Sequence, residues 1–154
     1  MCSSDLGGHE VKTHAATIPF FAQELADARV RTLFTSYDIA GGRHTLAVIY
    51  NTEKWKRDNP KTYAAVARAF EESMEMIGRD KRAAAELYLR AEKSRLGVDD
   101  ILKMLEKEDW IVFSPTPTRI MTWADYMVKS GQITNKPAGW KDFFFENVHG
   151  RPGS

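Results

Sequence analysis

The chain has 154 residues, and its 22 lysines and arginines against 21 aspartates and glutamates give a formal net charge of +1. This balance argues against the clustered basic face that nucleic acids bind, so we expect no nucleic-acid partner. A single cysteine excludes a disulfide scaffold and a thiolate metal site. No apolar run approaches the roughly 20 residues that a membrane-spanning helix needs.

The first six residues, M-C-S-S-D-L, show no periodicity and look like the translation of a sequencing adaptor. Such scars are set aside before a fold is inferred. On this interpretation residues 1–6 are an artefact, Cys2 is not native, and the natural chain begins upstream of Gly7. A signal peptide would then not be visible. The alternative is that these residues are a natural, disordered N-terminus.

The N-terminal part of the chain reads as strands joined by polar segments. Residues 9–13 alternate weakly and predict the end of a strand, and residues 30–35 predict a second strand. Thr17 is predicted to cap a helix of about ten residues that contains Pro19 near its start. Residues 46–50, L-A-V-I-Y, form a short apolar run that is typical of a strand covered on both faces.

The rest of the chain is predicted to be mainly helical. Five helix starts are indicated by capping residues, proline or periodicity: Thr52, Asn59–Pro60, Asp80, Val98 and Thr116. Phe70 falls in the apolar stripe of the longest helix and is predicted to be buried. Residues 110–113 predict one late strand, and residues 148–154 are predicted to fray. Strands alternating with helices favour the α/β fold class.

Polar residues follow the first two predicted strands. Since the carboxyl ends of strands line the ligand crevice of open α/β sheets, His14 is predicted to line a cleft, with a surface loop as the alternative. Thr13 and Thr17 flank His14, and their hydroxyls suit an anionic group, although Thr17 could serve only as a helix cap. Tyr37 either presents its ring and hydroxyl to a ligand or covers the core.

Other kinds of site are not indicated. The four histidines do not pair at the spacing of a metal-binding helix, and no H-E-x-x-H is present, so we expect no metal site. The motifs G-x-x-x-x-G-K, G-x-G-x-x-G and G-x-S-x-G are also missing from the sequence. The sequence therefore indicates neither a phosphate-binding loop nor an activated serine, and we expect no cofactor.

Several segments, taken in their order, resemble the C-terminal half of ABC-transporter substrate-binding proteins. They are T-H-A-A-T-I-P-F-F-A-Q-E-L, S-Y-D-I-A-G-G, L-A-V-I-Y leading to N-P-K-T-Y-A-A-V-A-R-A-F, and W-A-D-Y-M-V-K-S-G-Q-I. The resemblance covers residues 7 to about 150 and is to the nitrate/sulfonate/taurine group, which has the type II periplasmic binding fold.

The resemblance implies two α/β lobes that close over a solute by hinge motion. Residues 7–29 would end the second lobe, residues 30–42 would be a crossover hinge strand, and residues 43–154 would form the C-terminal part of the first lobe. The cleft residues that it implies are Thr13, His14, Ala16, Thr17 and Tyr37.

The implied function is that of a non-enzymatic, extracytoplasmic component of an ABC importer. It would bind a small anionic or heteroatom-rich solute and deliver it to a membrane permease. The full-length protein would be a monomer in the periplasm, or lipid-anchored outside the cytoplasmic membrane. Two alternatives stay open: a pyrimidine-precursor synthase of thiamine biosynthesis, which has a similar fold, and a ligand-sensing domain of a regulator. A cysteine-rich segment or a DNA-binding helical segment upstream would identify them.

Overall fold

In the computed structural model of the protein, residues 12–154 are described, and this part of the chain is built from helices. About half of the described residues (51%) are helical, and none of them belongs to a β-strand. The predicted α/β fold class is therefore wrong, and the partial type II periplasmic binding fold is wrong with it.

The described residues form seven α-helices and two short 3-10 helices. In chain order they are α1 (Phe20–Glu24), α2 (Ser36–Ala40), α3 (Glu53–Asp58), α4 (Pro60–Arg79), α5 (Lys81–Ala91), α6 (Val98–Glu106), α7 (Ile120–Lys129) and the 3-10 helices Trp140–Phe143 and Glu146–Val148.

The segments predicted as strands lack the pairing that defines a strand. Residues 30–35, 46–50 and 110–113 have strand-like composition but form no ladder with any described residue. A strand exists only where a partner accepts and donates its backbone hydrogen bonds, and composition alone does not supply that partner. Of the predicted strand at residues 9–13, residues 9–11 lie outside the described part, and the remaining two are not in a strand.

The helix predicted from Thr17 is shorter and begins later than expected. Helix α1 has five residues, and Pro19 occupies its N-cap without a side-chain hydrogen bond. The Thr17 carbonyl accepts from the backbone N–H groups of Phe20 at 2.9 Å and Phe21 at 3.2 Å. Thr17 thus supports the start of α1 through its backbone rather than as a side-chain cap.

Helix α2 lies where the sequence predicted only a polar junction. The Thr35 side chain accepts from the Asp38 backbone N–H, and the Asp38 carboxylate accepts from the Thr35 N–H at 2.7 Å, which is a capping box. Gly41 ends the helix with φ of 74°, a left-handed conformation that glycine adopts without strain. Asp38 therefore serves as part of the cap of α2 through its hydrogen bonds with Thr35.

Most predicted helix starts are confirmed. The Thr52 hydroxyl accepts from Trp55 N–H at 3.1 Å to begin α3, and Asp80 accepts from Ala83 N–H at 2.9 Å to begin α5. Pro60 stands at the first position of α4. The prediction for Thr116 is wrong, because α7 begins after Arg119.

The core lies between α5 and α6. Ala85 is fully buried and packs with Ile101 and Met104, both nearly buried, while Ile18 and Ala22 cover the cluster from the α1 side. Burial of these apolar side chains is the main stabilising contribution available to this part of the chain.

Phe70 does not share in this core. It is 42% exposed on α4, so the predicted burial of that side chain is wrong. Its helix presents the apolar stripe, but the stripe is only partly covered by other elements.

The end of the chain is held in place. The Ile120 N–H donates to the Ser154 carbonyl at 2.7 Å, and the Ser154 N–H donates to the Pro117 carbonyl at 3.1 Å. The Arg151 guanidinium pairs with Glu71 of α4 at 2.9 Å. The predicted fraying of residues 148–154 is therefore wrong.

Candidate functional site

The loop that precedes α1 carries four of the five predicted ligand residues. His14 Nδ1 lies 2.7 Å from Glu24 Oε1, and both side chains are largely covered. This contact anchors the imidazole to the end of α1. Thr13 is exposed and Ala16 is partly exposed, on backbone without regular structure.

The fifth predicted residue, Tyr37, belongs to an aromatic group that we call the His44 cluster (Tyr37, His44 and Trp123). The Tyr37 and His44 ring centroids are 5.5 Å apart at an interplanar angle of 87°, and those of His44 and Trp123 are 4.9 Å apart at 72°. Edge-to-face contact of this kind is the favoured geometry for aromatic rings. The imidazole is thus held between α2 and α7.

His44 has one satisfied and one unsatisfied nitrogen. Its Nδ1 lies 3.2 Å from the Thr45 carbonyl oxygen. Because a carbonyl only accepts, this contact places the proton on Nδ1, and Nε2 of the neutral ring is left as an acceptor. The residue is 8% exposed, and its buried Nε2 has no hydrogen-bond partner among the described residues. An unsatisfied buried acceptor favours any donor group that reaches it.

Arg119 brings a positive charge to the neighbouring backbone. Its φ of 54° is left-handed, which is uncommon for a side chain other than glycine, and its Nη1 donates to the Ala40 carbonyl at 3.3 Å. A Cβ on Gly42 would lie 3.1 Å from Nη2, so the guanidinium lies close against the Gly41–Gly42 turn. Within the described part of the chain, no carboxylate pairs with Arg119.

The predicted ligand residues are not brought into one site. Tyr37 contacts His44, whereas His14 contacts Glu24, and no described hydrogen bond or ring contact joins the two groups. The sequence analysis considers His44 only among the four histidines that do not form a metal site, and it misses the roles of Trp123 and Arg119. The one available signal is an isolated histidine just before the apolar run at residues 46–50.

Two surface concavities lie elsewhere. One, of about 190 Å³, is lined by residues that include Glu71 and Arg151, and a second, of about 420 Å³, is lined by residues that include Lys56, Tyr63 and Glu146. None of the predicted ligand residues lines either one.

The larger concavity already holds a cation of this chain. Lys56 Nζ lies 4.3 Å from the Phe145 ring centroid and 5.2 Å from that of Tyr63, and it pairs with Glu146 Oε2 at 2.5 Å. Burial raises the pKa of the Tyr63 hydroxyl, and the hydrogen bond from Lys56 lowers the pKa of Glu146. This arrangement ties the start of the 3-10 helix Glu146–Val148 to α3 and α4, and Lys56 occupies the faces of both rings.

Residues 12–154 contain neither a cluster of metal ligands nor a helix that could span a membrane. This part of the chain brings together no group of three or more metal-ligating side chains. None of its helices combines the length and the apolar character needed to span a membrane.

Comparisons of the chain with protein-family models, with curated proteins and with solved structures found no match.

Proposed function

We propose that the chain is part of a solute-binding protein that serves an ABC importer, and that it binds a small anionic or heteroatom-rich solute without converting it. The order of the T-H-A-A-T, S-Y-D-I-A-G-G and W-A-D-Y-M segments supports this proposal at the level of sequence. The membrane permease of the importer is the partner that would receive the solute from the protein.

One structural observation carries the proposal: Tyr37, singled out from the S-Y-D-I-A-G-G segment, contacts a buried histidine with an unsatisfied acceptor. Arg119 adds a positive charge with no carboxylate beside it among the described residues. A solute with a negative group and a hydrogen-bond donor would complement these features. The described hydrogen bonds of His44 include none to a hydroxyl nucleophile, so the group resembles a binding site more than a nucleophile–base pair.

The test is calorimetric titration of the complete protein that contains this sequence with a panel of small anions and amines. We expect one class of solute to bind, and we expect Tyr37→Ala to weaken its binding about tenfold or more by removing the ring next to His44. Tyr126→Ala is the matched control, because Tyr126 is exposed on α7. Unchanged affinity in Tyr37→Ala would refute this site, and turnover of a bound solute would refute the function.

The loop before α1 is tested in the same assay. His14→Ala and Thr17→Ala are expected to weaken binding while the melting temperature stays nearly unchanged, since a single ion pair near the surface contributes little stability. A large loss of stability with intact affinity would show that these residues support α1 and do not contact the solute.

A further inference from the structure

Residues 140–154 pack largely against themselves, and we call them the C-terminal strap. The Trp140 ring lies edge-on to Phe144 and to His149, with centroids 6.1 and 6.0 Å apart. His149 Nε2 lies 2.8 Å from the Phe144 carbonyl oxygen, so the imidazole also ties the backbone of the strap together. Gly153 approaches the Trp140 ring so closely that a Cβ there would lie 2.7 Å from it. Because these contacts are internal to the strap, we expect its residues to move together.

The strap is fastened to the rest of the chain mainly by polar contacts. Three of them follow the same order along α3 and α4 as along the strap: Lys56–Glu146 at 2.5 Å, Tyr63–Asn147 at 2.6 Å and Glu71–Arg151 at 2.9 Å. The Phe145 ring adds an edge-on contact with Tyr63. None of residues 140–154, all of which the structure describes, is buried. The docking therefore depends on charges near the surface more than on apolar burial, and salt screens such charges.

The end of the strap holds a strained residue. The Arg119 N–H donates to Ser154 Oγ at 3.0 Å, and the Ile120 N–H donates to the Ser154 carbonyl at 2.7 Å. Arg119 has a φ of 54°, and a residue with a Cβ keeps such a left-handed conformation only where its surroundings impose it. Ser154 belongs to those surroundings. The strap therefore helps to hold Arg119, whose guanidinium lies against the Gly41–Gly42 turn.

We propose that residues 140–154 are a salt-sensitive strap that opens as a unit from α3 and α4, and that its closed position holds Arg119 against the Gly41–Gly42 turn. When the strap opens, Ser154 no longer accepts from Arg119 and Ile120, and the backbone of Arg119 is free to leave its left-handed conformation. The strap thus controls where this positive charge lies. That control affects a solute only if the function proposed above holds, whereas the opening itself is measured without a solute.

The test is amide hydrogen exchange, measured by NMR on the complete protein that contains this sequence. Exchange at the Arg119 and Ile120 amides reports the opening of the strap, because both N–H groups donate to Ser154. We expect the double variant Lys56→Gln/Arg151→Gln to speed exchange at both amides about tenfold or more. It removes both ion pairs of the strap and the cation–π contacts of Lys56.

The matched control is the double variant Lys54→Gln/Arg82→Gln. It makes the same change in charge, and it removes two ion pairs that lie outside the strap. These are Lys54–Asp58 within α3 and Arg82–Asp99 between α5 and α6. Exchange at the two reporting amides should stay unchanged in this variant.

Salt tests the electrostatic part of the proposal directly. Raising the salt concentration from about 0.1 M to about 1 M shortens the Debye length from about 10 Å to about 3 Å. We expect exchange at Arg119 and Ile120 to accelerate about threefold or more in the unmodified protein, and to respond less once Lys56 and Arg151 are replaced. Exchange that is insensitive to salt, or unchanged in the Lys56→Gln/Arg151→Gln variant, would overturn the proposal. So would an equal acceleration across α5 and α6, because the whole fold would then have loosened and not the strap.

Discussion

His44 is the buried polar residue of the described part of the chain. It is almost fully buried, it touches two aromatic rings edge-on, and one of its nitrogens has no partner among the described residues. The ring contacts stabilise the fold, while the unsatisfied nitrogen costs stability. Substitutions of His44 can separate the effect of the ring contacts from that of the unsatisfied nitrogen.

We expect His44→Ala to lower the free energy of unfolding by about 1–3 kcal/mol, because it removes two aromatic contacts that are each worth about 0.5–1.5 kcal/mol. His44→Phe keeps a ring of similar shape and removes the unsatisfied nitrogen, so it should recover most of that loss. Urea denaturation measures the free energy of unfolding of both variants. His14→Ala is the control, because His14 is held by its hydrogen bond with Glu24 and not by aromatic contacts. A loss below about 0.5 kcal/mol in His44→Ala would contradict the described packing.

Asp38 makes the start of α2 sensitive to pH. Hydrogen bonds from the Thr35 backbone N–H and from its hydroxyl lower the pKa of the Asp38 carboxyl. A lowered pKa means that the ionised form is favoured in the folded state. Its contribution is therefore present above the pKa of the unfolded chain and is lost as pH falls through the lower, folded pKa.

The Thr35 amide proton reports this titration by NMR. We expect its chemical shift to change with a midpoint below the ordinary range of an aspartate, and we expect Asp38→Asn to abolish the change. A midpoint at or above the ordinary value would mean that the capping box is not formed in solution.

At the scale of elements, the contact between α5 and α6 carries most of the burial. Ile101→Ala is expected to cost about 2–5 kcal/mol of unfolding free energy, as a large-to-small change in a packed core. Phe70→Ala on α4 should cost less than about 2 kcal/mol, because that ring is already partly in water. Denaturant unfolding of the two variants compares them directly, and equal costs would contradict the exposure of Phe70.

Helix starts could be predicted from the sequence because their cause is local. The side chains of Thr52 and Asp80 each bond a backbone group three residues away, so the signal and its effect lie in the same short segment. Strands could not be predicted in this way. The L-A-V-I-Y run has the composition of a covered strand, but whether anything covers it depends on residues that are distant in sequence.

The candidate site likewise has features with a local cause and features that depend on residues distant in sequence. Tyr37 could be found because it stands in a polar segment that follows a predicted strand. Its place beside His44 and Trp123 depends on how α7 returns to α2, and no local pattern encodes that. The loop residues Thr13 to Thr17 are predicted to line a cleft because they follow a predicted strand, but the described residues include no strand that would place them there.

At the scale of the whole molecule, the C-terminal segment packs closely against the ring of Trp140. A Cβ added at Gly153 would meet three atoms of the Trp140 ring at 2.7 to 2.9 Å.

We expect Gly153→Ala to lower the free energy of unfolding by about 1–3 kcal/mol, since a rigid ring cannot give way without displacing the segment. Thermal unfolding measures the effect. Gly150→Ala is the matched control, because its Cβ would meet nothing within 4 Å. Equal melting temperatures in the two variants would refute the docked tail.

The packing of α4, α5 and α6 has a kinetic consequence. These helices pair with their neighbours along the chain, so each contact closes only a short loop. The hydrogen bond between Thr45 and Thr118, by contrast, spans 73 positions. The ring contact of His44 with Trp123 likewise joins distant parts of the chain. Contacts between residues close in sequence form faster than those between distant residues, so we expect α4, α5 and α6 to pair before His44 meets Trp123.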